Sequence, residues 1–308
     1  MTQTTRATAF APASTSNLAV GFDILGHPVG RLGDRVTAVR RAAPGVSIAS
    51  VSGDVPGDPE ANTATVPILR LLDDVRPGFG VEVRIDKGIP LGSGVGGSAA
   101  SAVAGVVAAN ALLPEPLPLA ALFPYALAGE AVASGAPHGD NVAPSLFGGL
   151  VLVRSAQPAD VVPLPVPPSL RCAIALPALR LDTKTARAIL PAAFPLKTVI
   201  AQTANLAGVV AGVCTGDLAL VARSLRDELV EPHRASLIPG FMEVRDAALG
   251  AGALGCSISG AGPALFAWCD GEEAAGRVQR AMVAAFEREG VAARGWTSAV
   301  AGPGARVE

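Results

Sequence analysis

The segment Ile89-Pro-Leu-Gly-Ser-Gly-Val-Gly-Gly-Ser-Ala-Ala-Ser101 constrains what this chain can fold into more than any other. Four glycines (Gly92, Gly94, Gly96 and Gly97) sit there between a strand pattern and a helix pattern. Upstream, Val81-Glu-Val-Arg-Ile85 alternates apolar and polar residues, the period of a half-buried strand. Downstream, Ser98 to Asn110 is rich in Ala and Val, lacks proline and charge, and predicts a buried helix. Glycine admits close backbone approach, and a helix N-terminus supplies unpaired N–H groups and the positive end of the dipole. Such a loop is built for an anion, and a nucleotide phosphate fits it best.

Gly92, Gly94 and Gly97 match the Gly-x-Gly-x-x-Gly of dinucleotide folds. Those folds continue into a second strand with an acidic residue ~20 residues past the glycines. Here the helix meets Leu113-Pro-Glu-Pro-Leu-Pro118, and Glu115 lies between prolines. No Lys-Ser or Lys-Thr follows the glycines, so a Walker loop is excluded as well. A plain structural turn is the remaining alternative for the segment taken alone.

A net charge of −2 favours neither nucleic acid nor an anionic membrane surface as partner. The four cysteines are widely spaced, which predicts reduced thiols and a cytoplasmic setting. Three histidines without a His-x-x-x-His pair argue against zinc. Met1-Thr-Gln-Thr-Thr-Arg6 lacks the apolar core of a signal peptide. Val199–Gly216 is uncharged but carries Gln202, Thr203, Asn205 and Thr215, so a membrane span is not expected.

Strand and helix patterns interleave along 308 residues, enough for one large or two medium domains. Strands are predicted at Val36–Val39, Val46–Val51, Val81–Ile85, Leu150–Val153, Cys172–Leu176, Cys256–Ser259 and Leu265–Trp268. Helices are predicted near Asn62–Asp74, Ser98–Asn110, Leu119–Ser134, Thr198–Val213, Leu218–Val230, Phe241–Leu249 and Ala274–Glu289, with Asn62 as an N-cap and Gly290 as a stop. The proline-rich run Gln157–Pro168 is the expected boundary between domains of residues 1–160 and 161–308.

Pro90, Gly92, Ser93, Gly94, Gly96, Ser98, Ala99 and Ala100 resemble the phosphate loop of the GHMP kinases, Pro-x-Gly-Ser-Gly-Leu-Gly-Ser-Ser-Ala-Ala. The chain departs at Val95, where Leu is usual, and at Gly97, where the first Ser of a pair is usual. Ser257-Ile-Ser-Gly-Ala-Gly-Pro263 resembles the third motif of that family. Pro12-Ala-Ser-Thr-Ser-Asn-Leu-Ala-Val-Gly-Phe-Asp-Ile-Leu-Gly26 resembles the first motif in the form carried by its homoserine kinases. The resemblance implies an α+β fold of two domains with the active site in the cleft between them. It implies ATP and Mg²⁺ as cofactors, and phosphorylation of L-homoserine to O-phospho-L-homoserine in threonine biosynthesis. The alternatives are another GHMP small-molecule kinase of mevalonate or sugar type, or an inactive nucleotide-binding protein of this fold. Oligomeric state is not set by the sequence, and a homodimer is the assembly to consider.

Phosphoryl transfer needs phosphate positioning, a metal that spreads charge and an oriented nucleophile. Magnesium takes hard oxygen ligands and keeps several waters. Between Gly88 and Gly139 the charged residues are Glu115 and Glu130, and Glu130 lies in an apolar helical run. A buried carboxylate there needs a cation or donors, although a solvent-facing Glu130 is the alternative. The resemblance implies Mg²⁺ on Glu130 and Ser98, with Pro90 to Ser98, including Leu91, around the phosphates and Asn62 near the nucleoside. Capping alone would also explain Asn62. Lys87 could reach a phosphate, or be a solvated lysine before the loop.

The segment Pro137-His-Gly-Asp-Asn-Val-Ala-Pro144 resembles the part of the family that approaches the acceptor. Asn141 is suited to orient an alcohol. Asp140 is read as an Asx turn with Gly139, with general base as the other role, and His138 as a substrate contact or an ordinary loop residue. Asp23 suits an ammonium, unless it is a turn residue, and Asn17 suits a hydroxyl or amine. An arginine fork best takes an amino acid's carboxylate. Arg187 and Arg234 lie in segments similar to homoserine kinase patterns; outside such segments, an arginine is ordinarily a solvated surface side chain.

Overall fold

The computed structural model describes residues 4–308. Met1–Gln3, part of the stretch read for a signal peptide, lie outside the described residues. Two sheets organise the chain. In the first, β1 (Arg6–Asn17), β2 (Gly21–Arg41), β4 (Gly80–Asp86) and β3 (Val46–Val51) lie side by side. Away from β1, the long β2 has two partners: Arg35–Arg41 pair with β4, while Leu25 and Gly26 pair with β5 (Leu150–Ser155). Strand β6 (Asp160–Leu164) closes that edge against β5. The second sheet is antiparallel and runs β10 (Ala293–Ala299), β7 (Leu170–Pro177), β9 (Leu265–Asp270), β8 (Gly255–Ile258). The chain then returns to the first sheet, where β11 (Arg306–Val307) pairs with β1.

Helix α2 (Gly97–Asn110) packs on β1 and β2 among α1 (Val66–Val75), α3 (Phe123–Ser134) and α4 (Gly139–Phe147). Every residue from Ala99 to Asn110 is buried. Their small side chains and lack of charge permit this, since burial costs little where nothing needs solvation. Helices α9 (Phe241–Gly250) and α10 (Glu272–Arg288) cover the second sheet with Phe241, Val278, Met282 and Phe286. Between β7 and β8 come α5 (Thr183–Ala188), α6 (Leu196–Thr215), α7 (Leu218–Ser224) and α8 (Glu231–Arg234). Helix α6 is long and apolar enough to cross a membrane by length and composition. Its Gln202 is buried and ties the helix to the fold, donating to Ala19 O and accepting from Glu228 N.

The structure alters several sequence expectations. The run Gln157–Pro168 is not a free linker, because Asp160–Leu164 form β6, with Pro163 on an edge where its missing N–H is harmless. Thr65, not Asn62, is at the N-cap of α1. Asn62 closes its own loop, donating to Pro56 O and accepting from Ala64 N. Helix α7 stops at Ser224, since the Asp227 carboxylate takes the N–H groups of Leu229, Val230 and Glu231 into a turn. Gly290 does follow α10, at φ 75°.

One apolar cluster runs across both sheets, with Leu25, Val29 and Val151 from the first and Ile174, Trp268 and Val300 beside the second. At this junction His27 is fully buried. The Trp268 indole donates to His27 Nε2 at 3.0 Å, and the opposite nitrogen, Nδ1, lies 2.9 Å from Pro28 O. An indole nitrogen only donates, so Nε2 must accept and the proton sits on Nδ1. Burial lowers the His27 pKa to about 4.

A histidine whose folded pKa lies below its unfolded value binds its proton preferentially in the unfolded chain. Its contribution is therefore intact above about pH 6.5 and is lost as pH falls toward about 4. Between neutrality and pH 5 the expected loss is about 2 kcal/mol. Urea unfolding of wild type and His27→Gln at both pH values checks this. The variant should show a pH dependence smaller by about that amount, and equal slopes would remove His27 as the cause.

Candidate active site

The phosphate loop is held by its carbonyls. Gly92 O accepts from Leu181 N, Ser93 O from Ala264 N, Gly94 O from Ser259 Oγ and Val95 O from Ser14 N. Gly96 O accepts from Ala100 N and Gly97 O from Lys87 Nζ. Six consecutive carbonyls are thus turned into the protein. Among the described residues, no backbone N–H from Gly94 to Ser98 has a protein acceptor. Gly92, Gly94 and Gly96 alternate in the left-handed region at φ 61°, 77° and 70°. That alternation gathers successive N–H groups into one concavity, an anion nest opening α2. Val95 turns into the core, while Pro90, Leu91, Ser93, Gly97 and Ser98 line the same cavity of about 390 Å³.

Lys87 is neither a solvated lysine nor free for a phosphate. Its side chain is 7% exposed and pairs with the fully buried Asp34. Lys87 Nζ also donates to Ser101 Oγ at 2.8 Å, and Ser101 in turn donates to Asp34. The other Asp34 oxygen accepts from Gly88 N and Ile89 N. This strut fixes both ends of the loop from beneath. Asp34 and Ser101 had no local sequence signal, since they meet Lys87 only in the fold.

Ser98 and Glu130 line the cavity, and Glu130 is 7% exposed on α3. Across from them is the first turn of α4. Asn141 donates to Ser16 Oγ at 2.9 Å and accepts from Ser14 Oγ at 2.8 Å, so β1 fixes its amide. Two of its four bonds are used among the described residues, leaving one N–H and one lone pair. Asp140 is in that helical turn rather than an Asx turn, is buried, and keeps Oδ1 without a partner. Burial first, then the Asp23 charge, raises its pKa to about 6.

The charged end is built on strained backbone. Asn17 and Asp23 are left-handed, at φ 66° and 63°. Asn17 Oδ1 accepts from Asp23 N at 3.0 Å, while its amide donates to Gly260 O at 2.7 Å. Arg187 from α5 forks onto both Asp23 oxygens at 2.8 and 3.0 Å. His138 Nδ1 is 3.7 Å from Asp23, and burial lowers the His138 pKa. Arg234 is 2% exposed and donates to Ala186 O and Gly260 O. Burial first, then the Arg187 charge, lowers its pKa to about 10, which leaves it cationic at neutrality. The Phe22 ring lies 5.1 Å from the Arg187 guanidinium and 5.2 Å from that of Arg234.

All the candidate residues except Asn62 and Val95 line this one cavity. Arg180, Asp182 and Thr183 line it too and were not read from the sequence. The turn 259–263 closes onto the loop through Ser259 Oγ to Gly94 O, and onto β1 through Gly260 N to Ser16 O.

A side chain at Gly94 would place Cβ 2.5 Å from Gly262 O at a left-handed φ. Gly94→Ala should therefore open the nest and raise KM for ATP about tenfold or more. Gly97 has ordinary φ, and a Cβ there would meet the Ile89 side chain, its methyl at 3.1 Å, and Lys87 Nζ at 3.7 Å, with no backbone in the way. Gly97→Ser should stay near wild type. Steady-state kinetics of the pair checks the contrast.

Comparison with known proteins matches two segments of the chain to one family. The model of the GHMP kinases N terminal domain matches residues 62–149, and that of the GHMP kinases C terminal domain matches residues 209–288. Homoserine kinase of Xylella fastidiosa (strain 9a5c) is 48% identical over 305 residues, covering 98% of this chain and 94% of its own. That of Chlorobium phaeovibrioides is 43% identical over 313 residues, covering 97% and 98%. The crystal structure of homoserine kinase from Cytophaga hutchinsonii superposes with a TM-score of 0.97 at 45% identity, covering 100% of this chain and 99% of that one. Mevalonate kinase of L. major shares the fold at a TM-score of 0.68 and 16% identity, covering 94% and 95%. With both segments matched in order and near-half identity along almost its whole length, the chain belongs to the GHMP kinase family, among its homoserine kinases.

Proposed function

We propose that this chain transfers the γ-phosphoryl group of ATP to the side-chain hydroxyl of L-homoserine, releasing ADP and O-phospho-L-homoserine. One observation carries the reading: the N–H nest at Gly94–Ser98 opens into the same cavity as Asp23, Arg187 and Arg234. The nest suits a polyphosphate, and the opposite end offers a carboxylate and two guanidiniums to an amino acid. A mevalonate-type acid has no ammonium for Asp23.

The chemistry assigned to the chain is positioning and electrostatics. The loop holds the phosphates through backbone N–H groups. Asn141, fixed by Ser14 and Ser16, orients the acceptor hydroxyl with its uncommitted N–H or lone pair. Asp140, poised near pH 6, is the carboxylate beside it that could hold the hydroxyl proton as the bond forms. Ser98 and Glu130 are a hydroxyl and a carboxylate facing one cavity, a hard-oxygen set that fits Mg²⁺. When bound, Mg²⁺ would spread phosphate charge. Asn62 commits both ends of its side chain to its loop, so neighbours Ala61 and Thr63 are better placed for a nucleoside. A cytoplasmic location, threonine biosynthesis as the setting and a homodimer belong to the same proposal; sedimentation tests the last.

Coupled-assay turnover of L-homoserine, with no turnover of mevalonate or galactose, tests the activity. Arg234→Ala removes a buried cation that also ties α5 to Gly260. It should cost roughly 2–5 kcal/mol in kcat/KM for homoserine while ATP affinity changes little. Equal losses for both ligands would point to misfolding. Ser98→Ala should lower kcat about tenfold or more and raise the Mg²⁺ concentration needed for half-maximal rate. A variant with normal kcat and Mg²⁺ requirement would remove Ser98 from the metal.

A further inference from the structure

The Asp23–Arg187 pair does more than supply two charges. Arg187 donates from both terminal nitrogens to both Asp23 oxygens, so each group already occupies the face its ligand would need. The pair is partly open to solvent, with side chains 40% and 30% exposed, and both line the cavity. Phe22 backs the Arg187 guanidinium, and Asn17 pins the Asp23 backbone, so neither partner is loosely held.

We propose that this self-neutralised pair is the specificity device of the site, opened by exchange with a zwitterion. Resting on the homoserine reading, the exchange disfavours ligands that carry only one of the two charges. An ammonium alone must displace Arg187 from Asp23 and leave a guanidinium unpaired. A lone carboxylate gains the second guanidinium, beyond Arg234, only by drawing Arg187 away and leaving Asp23 unpaired. A ligand carrying both charges on neighbouring carbons replaces one bidentate pair with two, and no charge is stranded. Arg234 stands by as a second guanidinium on the same Phe22 ring, ready for the carboxylate without having to leave a partner acid.

The exchange makes an unusual prediction: deleting a substrate-binding group strengthens binding of a half-ligand. 4-Hydroxybutanoate is homoserine without its ammonium, and 3-aminopropan-1-ol is homoserine without its carboxylate. Calorimetric titration of Asp23→Asn should show 4-hydroxybutanoate binding about tenfold tighter than to wild type, because Arg187 is released. Arg187→Met should bind 3-aminopropan-1-ol tighter by a similar factor, because Asp23 is released. Both variants should lose homoserine affinity, and unchanged ATP binding shows that each is folded. Asparagine keeps the left-handed backbone that Asp23 needs, and Arg187 is on the surface of a short helix. Half-ligand affinities that stay level or fall in the variants would overturn the exchange. Failure of wild type to phosphorylate homoserine strikes the proposed activity instead, and the half-ligand titrations still read the pair.

Discussion

Everything at the phosphate end depends on where six carbonyls point. A polyphosphate is repelled by carbonyl oxygens and held by N–H groups, so a cradle must hide the first to offer the second. From Gly92 to Gly97 each carbonyl is taken by a protein donor. The donors come from β1, from the stretch after β7, from the turn after β8, from α2 itself and from Lys87. The loop is therefore not a local object, because both sheets must be in place before its N–H groups converge. The continuous core through Trp268 and His27 is what keeps those donors in register. Each such bond is worth only about 1 kcal/mol net, but an unsatisfied carbonyl would cost more and would face the ligand.

The sequence made legible what is local. Glycine spacing, an alternating strand before it and an uncharged helix after it placed the loop correctly. Strands made of small or interrupted residues were not legible. Strand β1 is Arg-Ala-Thr-Ala-Phe-Ala-Pro-Ala-Ser-Thr-Ser-Asn, almost wholly buried and without the β-branched alternation that marks a strand. Proline hid strand β6 within Gln157–Pro168, where an edge position tolerates it. Lys87 was unreadable for a different reason. A lysine beside exposed residues reads as solvated, and only the fold delivers Asp34 and Ser101 from far along the chain. For Asn62 the residue type was informative about turning the chain but not about which turn.

Backbone strain marks the amino-acid end. Asn17, Leu18, Ala19 and Asp23 all have positive φ without being glycine. Each such residue costs on the order of 1–2 kcal/mol. The buried Leu18, the Gln202 bond to Ala19 O and the two bonds of the Asn17 side chain offset that cost. The strain points Asp23 across the cavity at Arg187 rather than along the strand.

The charges in the cleft are largely balanced before any ligand arrives. Lys87 is neutralised by Asp34, and Arg187 by Asp23. Arg234 and Arg180 also line the cleft, with the carboxylates of Asp54, Glu130, Asp182 and Asp140, the last with its pKa raised to about 6. A nucleotide triphosphate carries several negative charges, so the protein by itself does not compensate it. Glu130, nine-tenths buried, adds a carboxylate to the lining of the same cavity. The proposed Mg²⁺, with Ser98 and Glu130 to hold it, would supply the missing positive charge. On the proposed function, the nucleotide would enter as its metal complex, and the nest alone would be insufficient for tight binding. The same economy at the other end disfavours ligands with one charge, so both ends favour what arrives already compensated.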